Sequence, residues 1–224
     1  MRKIIIILLS FLATTAHAVD FEASIGQTTF TKPDNGLYWQ NGFRNDWQLA
    51  SQSWYIGVTG MASKNVRWRA GYLSLGSVHS YAFAVNDENY NGTDGCGPVC
   101  GPFSFFSTEG SVRGFPLTLA YEWGLGGFKP FVEAGAFVYL PKVEIISGGV
   151  PNSAGVSAPP GRYHYKNGFQ VGPTVGIGIE RGSMQIVLSW YGVDAAGPNP
   201  EPGLVPNFQP GLQNTFNVSL RQKF

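Results

Sequence analysis

The sequence predicts an all-β fold, an eight-stranded antiparallel up-and-down transmembrane β-barrel, and three observations support this prediction. Apolar and polar residues alternate with a period of two in eight separate segments. The connections between the segments are alternately short and long, and the long ones are rich in Gly, Pro, Asn and Asp. In each segment the bulky apolar side chains share one face, and the charged side chains fall on the other face.

The composition excludes several other classes of protein. The chain has 224 residues, of which 43% are hydrophobic and 13% are charged, so it has enough apolar surface to fold. After the first twenty positions there is no run of about 18 apolar residues, the length that a membrane-spanning helix needs. The formal net charge is +1, which lacks the basic excess of nucleic-acid-binding proteins, so we expect no nucleic acid partner.

The first residues have the three parts of a secretory signal peptide. A positive start at Arg2 and Lys3 is followed by a short apolar core and by an A-x-A cleavage site that ends at Ala18. We therefore expect residues 1–18 to be the signal peptide and residues 19–224 to be a single barrel domain.

The eight segments follow one another along the chain, each defined by its alternating apolar positions. In order, they run from Val19 to Ile25, Trp54 to Val58, Val66 to Tyr72, Phe115 to Trp123, Val132 to Val138, Phe169 to Ile179, Ile186 to Trp190 and Phe216 to Phe224. Pro116 and Pro173 fall inside the fourth and sixth segments, where each removes a backbone donor. We expect a bulge or a shifted strand end at these two prolines.

The connections differ in length in a regular way. Three contain only a few residues, around 62–65, 124–127 and 181–183, and four are long, about 31–50, 85–111, 142–163 and 194–212. Short turns on one rim and long loops on the other are typical of a barrel that spans a membrane. Because loops on a rigid scaffold often carry recognition, we expect any extracellular protein or glycan ligand to bind at the four long loops.

The two faces of the strands differ in side-chain size and charge, and this difference predicts that the apolar face contacts lipid. Bulky side chains would overfill the interior of an eight-stranded barrel, whereas small and paired polar side chains fit it. Charged side chains are therefore expected inside, where each needs an oppositely charged partner. The predicted lumen charge network consists of Glu22, Arg67, Arg69, Glu122, Glu133, Glu180 and Arg221. We expect this network to plug the lumen, and the alternative is a gated conduit for ions.

Aromatic residues gather near the strand ends that the short turns join. Such residues suit the boundary between lipid and water, because each ring can contact both. The predicted aromatic girdle consists of Trp68, Tyr121, Trp123, Phe128 and Phe224.

The signal peptide, the eight segments and the C-terminal Phe224 resemble the small eight-stranded outer-membrane β-barrel proteins, the OmpA-like transmembrane domains and the OmpX/Ail-like group. Residues 131–139 are similar to the fifth strand of these proteins, in which Gly and Ala alternate with larger residues. The last strand resembles the C-terminal signal of outer-membrane assembly, here Phe216, Val218, Leu220 and Phe224. The resemblance implies a multi-pass barrel in the bacterial cell outer membrane. Its implied partners are outer-membrane lipid, lipopolysaccharide and the outer-membrane assembly machinery, and it implies a monomer.

Two cysteines, Cys96 and Cys100, lie close together in the second long loop. In an exported protein such a pair is expected to form a disulfide, which would act locally on one loop. Metal binding is the alternative, but no histidine and no second cysteine pair lies nearby in the sequence. We therefore expect no metal at this pair and no cofactor.

The same loop contains the beginning of a calcium-binding pattern. Asp87, Asn89, Asn91 and Gly92 match its first half, but Pro98 stands where a bidentate Glu is required. An exposed loop rich in Asn and Gly explains the pattern equally well. We therefore predict no calcium site.

Ser77 and His79 are two residues apart and share a face, which makes a lipid-modifying enzyme an alternative function. Acyl transfer would need a nucleophile, a base and an orienting carboxylate together. Glu109 or Glu122 could supply the carboxylate, but nothing in the sequence places either beside His79. We expect no catalytic residues, and we expect His79 to be a polar residue at the rim with the long loops.

The sequence thus predicts a role in envelope structure or surface interaction, such as adhesion or host-defence evasion, rather than catalysis. One alternative is a lipid A-modifying outer-membrane enzyme. The other is a narrow solute or ion channel, although eight strands leave too little width for a porin-like pore.

Overall fold

The computed structural model describes residues 19–31, 43–84, 105–147, 161–166, 168–194 and 213–224. These ranges form ten β-strands: β1 (Val19–Thr31), β2 (Phe43–Gln48), β3 (Ala50–Ser63), β4 (Val66–Ala84), β5 (Phe105–Glu122), β6 (Lys129–Ser147), β7 (Gly161–Lys166), β8 (Gln170–Arg181), β9 (Met184–Asp194) and β10 (Gln213–Lys223). Within the same ranges no helix is long and apolar enough to cross a membrane. The predicted signal peptide lies outside them, so its boundary stays a prediction.

Eight of the ten strands form a closed antiparallel barrel. The order around the barrel is β1-β3-β4-β5-β6-β8-β9-β10, and β10 pairs with β1 to close it. Each of the eight predicted segments coincides with one of these strands, which confirms the predicted fold class. The short connections β3–β4, β5–β6 and β8–β9 lie at one end, which we call the turn rim, and the opposite end is the loop rim.

Parts of three predicted long loops are strands instead, which corrects the sequence analysis. β2 pairs with β4, β7 pairs with β6, and β5 and β6 extend to Phe105 and Ser147. The prediction was wrong here because these extensions lack the apolar alternation that marks a lipid-facing strand. Their outward positions include Glu109 and Glu144, which suit water rather than lipid.

The faces of the barrel are inverted relative to a water-soluble protein. Along β1, Phe21 and Ile25 are 67% and 71% exposed, whereas Glu22 is 2% exposed. The same alternation of exposed apolar and buried side chains continues in β8 and β9. An apolar exterior is stable only in lipid, where a closed barrel satisfies every backbone group of its strands. The chain is therefore a membrane-spanning β-barrel.

The two strand prolines lie where a ladder of backbone pairs is interrupted. In β5, the pairing with β4 passes from Leu117 to Gly114, and Pro116 falls between them. Pro173 precedes Thr174, where the pairing of β8 with β9 begins. Pro173 thus pairs with Ala136 of β6 while the ladder with β9 begins one residue later, and Pro116 lies at a gap in the pairing with β4. Both prolines lie inside their strands, so the expectation of a bulge or a shifted strand end was wrong.

A bulge in β4 changes which residues face outward near the loop rim. Gly76 has a φ of 84°, in the left-handed region that favours glycine, and the β4–β5 register shifts beside it. Leu75 before the bulge and Val78 after it are both buried in the lumen. As a result Ser77 and His79 lie on the outer surface of the barrel.

Candidate functional site

The interior next to the turn rim contains the seven charged side chains that the sequence analysis placed in the lumen. Each of them is at most 7% exposed. Two further side chains, Gln185 of β9 and Lys223 of β10, make polar contacts with them. We call this set the charge network: Glu22, Arg67, Arg69, Glu122, Glu133, Glu180, Gln185, Arg221 and Lys223.

One part of the charge network surrounds Glu180. Its Oε2 atom lies 3.0 Å from Arg67 Nη1, and its Oε1 atom lies 2.6 Å from Lys223 Nζ. Arg67 also reaches Glu122, with 3.0 Å between Nε and Oε1. Gln185 Nε2 donates a hydrogen bond of 2.6 Å to Glu180 Oε2. Arg67 therefore links carboxylates of β5 and β8 across the lumen.

The other part is organised around Glu133. Arg69 Nη1 makes a short ion pair with Glu133 Oε2, and Arg221 Nη1 lies 3.4 Å from the same oxygen. Arg69 Nε also lies 3.3 Å from Glu22 Oε2. Gln185 Oε1 accepts hydrogen bonds from Arg69 at 3.2 Å and from Arg221 at 3.4 Å. Glu133 is thus the shared partner of two buried guanidinium groups.

The charge network is electrically balanced, with four carboxylates facing the cations of three arginines and one lysine. Lys129 adds an exposed contact at the mouth, 3.6 Å from Glu180. Burying each of these charges costs several kcal/mol unless a partner compensates it. Loss of a single member should therefore leave an uncompensated charge in the interior.

Towards the loop rim the interior contains a large apolar cluster beside buried polar residues such as Thr28 and Asn217, which corrects the expectation of a polar lumen throughout. Phe137 stacks on Tyr139 with 5.3 Å between the ring centroids, and it contacts Tyr191 at 5.1 Å. We call the buried set the apolar cluster: Phe30, Tyr55, Leu73, Leu75, Val78, Val112, Phe137, Tyr139, Tyr191 and Val193. The prediction was wrong because apolar residues occupy both faces of these strand sections, so alternation alone did not identify the inner face.

Tyr55 lies where the apolar cluster meets the charge network. Its ring occupies the space that a Cβ atom on Gly57 or Gly71 would need, so glycine at both positions allows it to lie flat on the wall. The Arg221 guanidinium lies 5.6 Å from the centroid of this ring, a cation–π distance. The aromatic ring therefore covers one side of the Arg221 charge.

A cavity of about 20 Å³ lies at the same boundary, with Tyr55, Glu133, Tyr191 and Arg221 in its wall. The Tyr55 hydroxyl and the Arg221 Nε atom are buried and have no hydrogen-bond partner among the described residues. A polar cavity of this size has room for about one water molecule. This cavity thus marks the place where the apolar cluster and the charge network meet.

The predicted girdle residues lie on the outer surface near the turn rim. Tyr121, Trp123, Phe128 and Phe224 are exposed, and Trp68 is half-buried. The rings of Tyr121 and Trp123 contact each other, with 6.3 Å between their centroids. Their position fits the boundary between lipid and water, and their role there stays a prediction.

The residues of the predicted assembly signal share the outer face of β10. Phe216, Val218, Leu220 and Phe224 are all exposed. The Phe224 amide donates a hydrogen bond of 2.9 Å to the carbonyl of Phe21 in β1. This last bond continues the β1–β10 seam that closes the barrel, and recognition by the assembly machinery stays a prediction.

Five strands continue side by side above the loop rim on one side of the barrel. We call this sheet the outer wall: β2, β7 and the ends of β4, β5 and β6 over 77–84, 105–111 and 142–147. One row crosses all five strands in register: Gln48, His79, Glu109, Glu144 and His164. Glu144 Oε1 lies 3.0 Å from Arg162 Nη1, and its Oε2 lies 3.3 Å from His164 Nδ1.

The outer wall makes the barrel asymmetric. β4, β5 and β6 contain 19, 18 and 19 residues, whereas β8, β9 and β10 contain 12, 11 and 11. Sequence reasoning missed this feature because β2 and β7 contain only six residues each and pair outside the closed ring of eight strands.

The residues of the enzymatic alternative are only partly brought together. Glu109 lies directly opposite His79 in the β4–β5 pairing, and Ser77 lies two residues from His79 on the same outward face. Glu122 belongs to the charge network at the other end of the barrel and is far from this row. No hydrogen bond links Ser77, His79 and Glu109 in the described part of the chain.

Two predicted sites fall outside the described ranges. Cys96 and Cys100 belong to the region between β4 and β5 that the structure does not describe, and so does the Asp87–Gly92 pattern. The disulfide therefore stays a prediction. Among the described residues, no cluster of three or more His, Cys, Asp or Glu side chains is arranged to hold a metal ion.

The sequence matches no protein-family model and no curated protein. Its solved structural neighbours include Ail, the attachment invasion locus protein of Yersinia pestis, in complex with the heparin analogue sucrose octasulfate. That match has 7% identity and a TM-score of 0.43, and it covers 92% of this chain and 99% of Ail. Neisserial surface protein A matches at 9% identity and a TM-score of 0.38, over 92% of this chain and 99% of its own. OprG of Pseudomonas aeruginosa matches at 12% identity and a TM-score of 0.39, over 93% and 97%.

Identities this low concern the fold alone. The closed ring of eight antiparallel strands, the apolar exterior and the buried charges all agree with it. The chain has the fold of an eight-stranded antiparallel membrane-spanning β-barrel.

Proposed function

We propose that the chain acts in surface interaction, such as adhesion or host-defence evasion, and that the outer wall is its binding surface. One observation supports this proposal above the others. β4, β5 and β6 continue past the apolar belt, the ring of exposed apolar side chains that ends at Phe115 on β5 and just past Val138 on β6, as a sheet with a charged outward face. A charge on the lipid side of a barrel costs roughly 2–4 kcal/mol at the bilayer midplane, so Glu109, Glu144 and Arg162 belong in water. A preorganised sheet also loses little conformational entropy when a partner binds.

The lumen supports a closed anchor rather than a channel. An ion crossing it would have to separate the buried pairs of the charge network and then pass the apolar cluster. The first step exposes uncompensated charge in a medium of low dielectric, and the second step strips the ion of water. The narrow solute or ion channel is therefore the weaker hypothesis.

The proposed partners follow from the surfaces of the barrel. Outer-membrane lipid and lipopolysaccharide contact the apolar belt, and the assembly machinery reads the end of β10. An extracellular protein or glycan binds the outer wall, together with the long loops. We propose that the barrel is monomeric, because its sheet is closed and needs no second copy to pair its edges.

Adhesion by bacteria that display the chain tests the proposed role of the outer wall. The test variant combines Glu109→Ala, Arg162→Ala and His164→Ala, which removes charge from the wall without touching the lumen. The matched control combines Lys64→Ala and Arg181→Ala at the turn rim. We expect display of the wild type and of the control to increase adhesion to cultured host cells, and the wall variant to lose the increase. Equal adhesion by the wall variant would reject the wall as the binding surface.

A lipid A-modifying enzyme is the second candidate, and the register of His79 opposite Glu109 favours it. Ser77 would attack an ester carbonyl of the lipid while His79 accepts the hydroxyl proton, and Glu109 would orient the imidazole. The ester C–O bond would then break, and His79 would return the proton to the leaving lipid alcohol. Mass spectrometry of lipid A from cells with the wild-type chain, with Ser77→Ala and without the chain tests it. Identical lipid A in all three samples would exclude this candidate.

A further inference from the structure

Two exposed cations lie on the outer surface where the apolar belt ends. The outward residues of the β5 segment are apolar from Trp123 to Phe115, and the next outward residue is Arg113. On β6 the apolar outward positions extend past Val138, and the next exposed one is Lys142. The nine residues from Phe115 to Trp123 match the length of a membrane-spanning strand. Arg113 and Lys142 therefore lie at the level of the lipid headgroups.

The register brings these cations close together. Arg113 pairs with Leu140, and Lys142 pairs with Ser111, so the two cations are diagonal neighbours on adjacent strands. Diagonal neighbours on one face of a sheet are separated by about 7–8 Å, and both side chains are long enough to reach one group. Lys166 of β7 holds the register position opposite Lys142.

The surroundings do not neutralise this pair. Glu144 is engaged by Arg162 and His164. Glu109, the other carboxylate on this face, makes no ion pair with Arg113 or Lys142, and neither cation has an ion-pair partner within the described ranges. Lys142 and Lys166 are directly opposite, and like charges in such positions destabilise a sheet, so a bound anion would stabilise this part of the barrel.

The rest of the barrel lacks such a feature at the same level. Outward positions near the loop-rim ends of β1, β9 and β10 include Gln27, Gly192 and Asn214, and the described outward residues there include no cation. Among the described residues at this level, the positive charge is thus confined to one sector, at the membrane-facing edge of the outer wall.

We infer that Arg113 and Lys142 form a binding site for a lipid-borne phosphate of the outer leaflet. The planar guanidinium of Arg113 donates two parallel hydrogen bonds to one phosphate, and the Lys142 ammonium adds a point charge. The level of the pair, directly above the apolar belt, favours a lipid headgroup over a soluble anion. The inference rests on the proposed contact with outer-membrane lipid and names the residues that make it.

Native mass spectrometry of the folded chain in detergent measures this binding directly. The probes are lipid A with two phosphates, with one phosphate and with none. The test variant is Arg113→Gln with Lys142→Gln, and the control is Arg181→Gln, an exposed cation at the turn rim. Each cation near an anionic lipid surface contributes on the order of fivefold in affinity, so we expect the double variant to bind lipid A with two phosphates about 30-fold more weakly. The control should bind like the wild type, and the phosphate-free lipid should not distinguish the three proteins.

Two results would overturn the inference. One is equal binding of lipid A with two phosphates by the double variant and the wild type. The other is displacement of the lipid by inorganic phosphate or by a soluble sulfated oligosaccharide at similar concentration, since the site would then take a free anion. Heat-dependent gel migration verifies that each variant is folded, and Lys142→Gln alone should give an intermediate loss. If the double variant no longer binds the lipid but still promotes adhesion, the lipid site and the proposed adhesive function of the outer wall are independent of each other.

Discussion

Next to the turn rim the lumen contains a network of ion pairs, and next to the loop rim it contains a cluster of aromatic and aliphatic side chains. In the charge network every member depends on a specific partner, because an unpaired buried charge is very costly. In the apolar cluster contacts are non-directional, and the cost of a truncation depends on the volume lost. One narrow barrel thus combines two kinds of packing. Loss of one charged partner should destabilise the barrel strongly, whereas truncations in the apolar cluster should destabilise it in proportion to the volume removed.

The largest expected effect is in the charge network. Glu133→Leu removes the shared partner of Arg69 and Arg221 and should lower the free energy of unfolding by about 3–5 kcal/mol. Urea unfolding of the barrel in phospholipid vesicles measures this change. The neighbouring outward substitution Ala134→Leu is the control and should have little effect. A Glu133→Leu variant as stable as the wild type would mean that the network does not hold the lumen together.

A smaller loss is expected in the apolar cluster. Leu75 is fully buried, and Leu75→Ala should cost about 3 kcal/mol through lost burial and a residual cavity. The same substitution at Leu117, on the outer face, should cost less because lipid fills the space. Unfolding under the same conditions compares the two variants. If Leu75→Ala and Leu117→Ala lower the free energy of unfolding equally, the close packing of the apolar cluster contributes nothing beyond the transfer of apolar surface out of water.

Gln185 provides an intermediate case, since it is an uncharged member of the charge network. Gln185→Leu removes its bonds to Glu180, Arg69 and Arg221 and should cost about 1–3 kcal/mol. Gln52→Leu, at an exposed position, is the control. A cost as large as that of Glu133→Leu would show that the network is not governed by charge pairing.

The smallest effect is expected on the outer wall. Glu144→Gln breaks exposed contacts with Arg162 and His164, and such pairs contribute roughly 0–1 kcal/mol. The free energy of unfolding should therefore stay within about 1 kcal/mol of the wild type. A much larger loss would indicate that the wall stabilises the barrel itself.

Sequence reasoning recovered the eight strands and the inward charges because lipid imposes a uniform outer face. The alternation along 115–123 identifies both a strand and its lipid-facing side. The alternation along 66–72 does the same for β4 and places Arg67 and Arg69 on its inner face. Gln185 and Lys223 share the inward parity of their strands. They were missed because an uncharged amide and a lysine near the chain end gave no reason to expect a buried partner.

The apolar cluster and the outer wall could not be predicted in the same way. Phe137 and Tyr139 lie on the same face as Glu133, so the pattern alone does not distinguish an apolar filling from a polar one. The pairing of His79 with Glu109 depends on the bulge at Gly76, which shifts the register of β4 against β5. Such features depend on how distant strands meet rather than on local periodicity.

Planar-bilayer recordings of the folded chain test most directly whether these two fillings together close the lumen. If they do, the wild type should show no discrete current steps under an applied voltage, in protein whose folding is verified by its gel migration. Reproducible single-channel openings that scale with the amount of folded barrel would contradict a closed lumen.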